Sequence, residues 1–152
     1  MNRTSLASCE EQSLDENGFA FRRKRLGTAA GGKKLGVSWF ELQPGTKAFP
    51  HHFHLANEEA VFILEGEGVV RFGDEEHAVR SGDFLAFPPG PPAHQILNRS
   101  LAPLRYLAIS TVIEPEVVLY PDSKKVGVRS WSFGITSNHR QGDAVDYYEG
   151  EK

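Results

Sequence analysis

Three of the chain's six histidines, together with one glutamate, are spaced to act on a single ion. His51-His52-Phe53-His54 is the densest cluster. In an extended segment side chains alternate between faces, so His52 and His54 share one face and His51 takes the other. Two imidazoles at that spacing form a metal clamp. Glu59 follows five residues after His54, and the short loop 55–58 would return its carboxylate to the same point. His94 opens a later segment, just after the stiff loop Pro88-Pro89-Gly90-Pro91-Pro92. Three imidazoles and one carboxylate suit one divalent first-row ion (Mn, Fe, Ni, Co or Zn) and leave about two positions of an octahedron open to a chelating ligand. Cys9 is the only cysteine, so the chain has neither an internal disulfide nor a thiolate zinc site, and a reducing compartment is expected.

The elements that must position these residues read as strands. Leu35–Leu42 is rich in Val, Trp and Phe. The continuous apolar run 60–64 fits a strand covered on both faces. Gly66-Glu67-Gly68, Gly73-Asp74 and Ser81-Gly82-Asp83 separate the short strands 69–72, 77–80 and 84–87. Segments 94–97 and 104–112 complete the series. Strands of this length with turns at this interval predict an antiparallel sandwich or barrel. Phe19-Ala20-Phe21 starts a first strand, and Ala29-Ala30-Gly31-Gly32 is the turn to the next. The basic run Arg22-Arg23-Lys24-Arg25 reads as a solvated hairpin, with binding of phosphate or nucleic acid as the alternative. Residues 1–18 are polar and acidic and predict a flexible N-terminal arm; residues 19–152 form the one domain. The segment after Glu114 carries Pro115, Pro121 and Gly127 and is expected to be irregular, packing across the outside of the barrel.

Size and charge narrow the class. A chain of 152 residues can bury a full core without staples, and 39% apolar with 24% charged residues is a globular composition. A net charge of −3 argues against nucleic acid as a partner. No apolar run reaches the length of a membrane span, and Met1–Gly18 has no apolar core of a signal peptide, so a cytoplasmic protein is expected.

The spacing of these residues resembles the two motifs of the cupin family. Gly45, His52, His54, Glu59 and Gly66 stand in the order of the first motif; Gly82, Pro88, Gly90, His94 and Asn98 stand in that of the second. The spacers Gly45-to-His52 and Gly90-to-His94 are each one residue longer than the common form, in loops that absorb an extra residue. The motif core spans residues 45–98. The resemblance implies an all-β jelly-roll barrel, often a homodimer, with His52, His54, Glu59 and His94 as the metal ligands. The matched Gly, Pro and Asn positions are structural corners rather than ligands.

It further implies an enzyme acting on a small oxygen-rich molecule. Small single-domain cupins are similar to sugar-phosphate isomerases, the metal serving as Lewis acid and template. A dioxygenase using Fe and O₂ is the second reading, and a non-catalytic sugar- or metal-binding module the third. Isomerisation needs a proton-transfer group, for which Tyr106 and Glu58 are candidates, and a phosphate needs a cation, for which Arg71, Arg99 and Arg105 are candidates. Trp39, Phe40 and Phe49 are expected as apolar walls, and Trp131, Tyr147 and Tyr148 as a cap.

Overall fold

Strand boundaries follow the β-branched and aromatic runs closely. The computed structural model describes all of residues 1–152. Its strands are β1 (Glu11–Glu16), β2 (Phe19–Lys24), β3 (Leu35–Leu42), β4 (Phe53–His54), β5 (Glu59–Glu65), β6 (Glu67–Phe72) and β7 (Glu75–Arg80). They continue as β8 (Phe84–Phe87), β9 (His94–Leu97), β10 (Leu104–Thr111), β11 (Glu116–Tyr120), β12 (Lys125–Ser130) and β13 (Ile135–Arg140). One helical turn, α1 (Leu26–Ala29), occupies much of the connection expected to be a plain turn before β3. No helix is long and apolar enough to cross a membrane.

The strands hydrogen-bond into three sheets, ordered β1-β2-β3-β10-β5-β8, β13-β12-β11-β4 and β7-β6-β9. Every strand pair is antiparallel, and half of the ten pairs join strands distant in sequence, which gives the all-β jelly-roll barrel. Alternation along each strand decides what is inside. On β3, Phe40 and Leu42 point into the core, where they join Ile63 of β5, Leu104 and Tyr106 of β10 and Val70 of β6. The intervening Glu41 points outward into a charge ladder that crosses five strands. Arg22 of β2 bonds Glu11 of β1 at 2.8 Å and Glu41 at 2.9 Å. Arg105 of β10 bonds Glu41 at 2.7 Å and Glu65 of β5 at 2.5 Å. Such cross-strand opposite charges reinforce register.

Three expectations are corrected. Residues 11–16 are no loose arm: β1 pairs with β2 residue for residue, from Glu11 opposite Lys24 to Glu16 opposite Phe19. Its side chains are exposed on both faces, so it has no hydrophobic period by which to be recognised. The segment from Glu116 to Arg140 is regular, while residues 141–152 carry no strand or helix. Strands β11, β12 and β13 form a sheet with β4, and Pro115 and Pro121 fall just outside the strands, where a missing N–H costs the ladder nothing. The apolar run in β5 is covered on one face only, since Val61 and Ile63 are buried while Leu64 is 38% exposed.

Gly66 shows what the motif glycines do. It sits at φ +87° between β5 and β6, and a Cβ there would lie 2.5 Å from the Pro103 carbonyl oxygen. Only glycine accepts both the backbone angle and the contact.

Candidate metal centre

His52 and His54 reach the barrel interior from either side of Phe53. His52 lies just before β4 and pairs with the start of β9: its N–H donates to the His94 carbonyl at 3.1 Å, and the His94 N–H returns to the His52 carbonyl at 2.8 Å. This bridge joins the two motifs. The proline loop is tied in by Gly90, at φ +95°, whose N–H donates to the His54 carbonyl at 2.7 Å. Glu59 enters from the head of β5.

The four side chains converge on one oxygen. Glu59 Oε2 lies 3.0 Å from His94 Nε2, 3.4 Å from His54 Nε2 and 3.6 Å from His52 Nε2. The donor atoms of His52, His54 and Glu59 all fall within 4.8 Å of one another, the spread of a single coordination sphere. The surroundings fit the same purpose. His52 Nδ1 donates to the Pro50 carbonyl at 2.8 Å, which puts the ring proton on Nδ1 and frees the Nε2 lone pair. His54 Nδ1 is buried without a hydrogen bond and lies 3.5 Å from Glu116 Oε2, so a carboxylate backs this ring as well. Nitrogen and carboxylate donors without thiolate suit the divalent first-row ions, and the residues present fit such a group.

The electrostatics run accordingly. Burial would raise the Glu59 carboxyl, but hydrogen bonds from three imidazoles outweigh it and hold it well below the usual carboxylate range. Burial lowers the pKa of His94 and so disfavours its charged form. Burial opposes charge on His54 too, yet Glu59 and Glu116 together raise its pKa.

Glu116 and Asn57, which no motif marks, hold the loop between His54 and Glu59. Glu116 is fully buried. Its carboxylate accepts backbone N–H groups from Leu55 and Ala56 at 3.2 Å each and from Asn57 and Val117 at 2.9 Å each. The Asn57 amide also donates to Glu116, and Asn57 Oδ1 accepts the Ile113 N–H at 2.7 Å. Nothing local in the sequence distinguishes Glu116 from a surface acid, because its partners are some 60 residues away.

A cavity of about 620 Å³ opens onto the centre. Tyr106 lines it with Phe49, Ser38 and Tyr120, and the exposed Trp131 also contributes to its lining. Tyr106 is almost fully buried, stacks on Phe40 with ring centroids 5.2 Å apart, and is pushed up in pKa by burial, so it keeps its proton. The other catalytic candidates lie elsewhere. Glu58 is exposed on the far side of the chain from Glu59. Arg71 is forked onto Asp122 at 2.7 and 3.1 Å, Arg99 onto Glu76, and Arg105 belongs to the outer ladder. Trp39 is buried on the same side of β3 as Glu41, apart from the central core cluster and the cavity, and Tyr147 and Tyr148 are exposed. His51 turns away from the centre, as its parity requires, and is buried 3.5 Å from Asp122. The cations that do line the cavity are Arg23, Arg25, Lys33 and Arg129. The first two come from the run read as a solvated hairpin. Parity held the clue: Phe21 faces the core, so Arg23 two residues on faces the same way.

Comparison with known proteins agrees with this architecture. Residues 38–110 match the cupin domain family. A 59-residue segment is 39% identical to an uncharacterized protein of Methanocaldococcus jannaschii, covering 39% of this chain and 46% of that protein, so the match spans under half of that relative. The fold superposes on a protein of Acidithiobacillus ferrooxidans provisionally named a sugar phosphate isomerase, with TM-score 0.85, 26% identity and coverage of 93% of this chain and 91% of that one. It also superposes on a cupin-superfamily sugar phosphate isomerase from Silicibacter pomeroyi, with TM-score 0.84, 29% identity and coverage of 93% and 94%.

Proposed function

The chain carries a cupin domain over residues 38–110, and from that premise we propose that it is a metal-dependent isomerase of small polyhydroxylated carbonyl substrates, of the sugar or sugar-phosphate kind. The observation that carries this reading is the convergence of His52, His54 and His94 on Glu59 at the floor of a 620 Å³ cavity. The likeness to two proteins named as sugar phosphate isomerases over nearly their whole length supports the substrate class.

A divalent ion held by His52, His54, Glu59 and His94 supplies Lewis acidity toward a substrate carbonyl or hydroxyl. The chain's own residues do the rest. The His52 Nδ1 proton, anchored on Pro50, fixes that ring's orientation. Glu116 fixes the loop that carries His54 to Glu59. Tyr106 keeps its proton and so offers a hydrogen-bond donor to a substrate oxygen. Phe49 and Val118 present apolar surface to the cavity and limit the water that reaches the reacting atoms.

The test is proton exchange at carbon. Protein reconstituted separately with each candidate metal is incubated with aldose and ketose phosphates in deuterated water. Deuterium should enter the carbon beside the carbonyl, equally well under argon, and His52→Ala should abolish both exchange and stoichiometric metal. Turnover that stops under argon would replace the isomerase by an oxygenase. Stoichiometric sugar binding without exchange would leave a binding module.

A further inference from the structure

Arg23 is an inward-facing arginine with no counter-charge. It stands opposite Phe40 in the β2–β3 register, so it shares the core-facing side with Phe21 and Phe40. Its guanidinium carbon lies 5.7 Å from the Phe21 ring centre and 5.9 Å from that of Phe40. Its Nε is buried without a hydrogen-bond partner, and its one polar side-chain contact is the neutral Gln12 carbonyl oxygen at 2.7 Å from Nη2. Burial and the neighbouring Arg25 both work against its charge.

The contrast is with the four arginines that are ion-paired. Arg22, Arg71, Arg99 and Arg105 each bind a carboxylate, and none lines the cavity. Arg23, Arg25 and Arg129 all line the cavity, and none has a carboxylate within ion-pair distance. Arg129 is aimed by neutral acceptors alone, its Nη1 donating to the Ser137 carbonyl at 2.6 Å and its Nη2 to Asn138 Oδ1 at 2.8 Å. The cavity's two carboxylates are already engaged, Glu59 by three imidazoles and Glu116 by four backbone N–H groups. In a protein of net charge −3, the cavity gathers three arginines without an ion-pair partner. A half-buried, unpaired guanidinium is costly to hold unless a ligand supplies the anion, and its planar fork matches a phosphate bidentately.

We infer that Arg23, assisted by Arg25 and Arg129, is the anchor for the anionic group of the substrate, which makes that substrate a phosphate monoester rather than a neutral sugar. This rests on the isomerase reading for the sugar part only; the anion site stands on its own geometry. The anchor sets the distance between the phosphoryl group and the metal centre and so selects which carbons reach Glu59 and its histidines.

Calorimetric titration with inorganic phosphate, ribose 5-phosphate and ribose tests it, using His52→Ala to remove any contribution of bound metal. Phosphate and ribose 5-phosphate should bind both wild type and His52→Ala, and ribose should bind His52→Ala at least tenfold more weakly than its phosphate. Arg23→Gln should weaken phosphate at least tenfold, Arg23→Lys should restore part of it, and Arg22→Gln, on the outer face, should change nothing. Circular dichroism checks that each variant is folded. Equal phosphate affinity in folded Arg23→Gln and wild type, or no phosphate binding by wild type, overturns the anchor. Absence of isomerisation with phosphate binding intact overturns the isomerase reading and leaves the anchor standing.

Discussion

Glu116 does for the metal centre what no ligand can do for itself. The loop 55–57 leaves β4 and must return Glu59 to the imidazoles, and the Ala56 and Asn57 N–H groups would lack a protein acceptor without Glu116. One carboxylate accepts both, together with the Leu55 and Val117 N–H groups, and Asn57 ties the same loop to Ile113. Glu116→Ala should therefore destabilise the fold by on the order of 3 kcal/mol, a fall of roughly 6–12 °C in melting temperature, read by thermal denaturation. Metal affinity should fall about 10- to 100-fold at a temperature where the variant is still folded. A variant with wild-type melting and metal affinity would show that the loop holds itself.

Connections between strands locate the motif glycines. Gly45, Gly66, Gly82 and Gly90 all have positive φ, so their recurrence in the two motifs is a record of corners. Gly66→Ala should cost about 1–3 kcal/mol for the backbone angle alone, more once the Pro103 carbonyl must move. Gly142→Ala, where φ is ordinary and no atom lies near, should stay within about 0.5 kcal/mol of wild type. Urea midpoints of the two variants give the comparison, and equal midpoints would refute it. The elements hardest to read are those with no apolar period. The polar strand β1 is held by its ladder to β2 and by Arg22 and Arg23 reaching Glu11 and Gln12. The strands β11 to β13 sit between prolines that mark their ends rather than their absence.

At the scale of the whole barrel, protons would compete with a metal bound at the candidate site for the same interior. The pKa of His94 is lowered and that of Glu59 lies well below the usual carboxylate range, while that of His54 is raised, so His54 takes up a proton before His94 as pH falls. In the metal-free fold that shift adds stability, complete below the ordinary histidine pKa of about 6.5 and lost as pH rises through the folded value. Metal needs the neutral imidazole, so its affinity runs the other way and should weaken as pH drops from about 8 to about 6. Competition titrations against a metallochromic chelator across that range measure it, and a flat profile would remove His54 from the ligand set.

Local pattern determined a good deal of this protein. Strand periodicity delimits β3, β8 and β9 to the residue, and period-two parity separates His52 and His54 from His51. Motif spacing nominates the four converging side chains, since strand geometry depends on neighbours in the chain. The tertiary structure alone decided which charges are spent and which are free. Arg105 and Arg71 find carboxylates on strands or turns 40 or more residues away, and Arg23 finds none. Glu116 becomes a buried brace because β11 pairs with β4. Charge compensation and hydrogen-bond satisfaction depend on partners that only the folded pairing of distant strands brings together, and no local spacing encodes them.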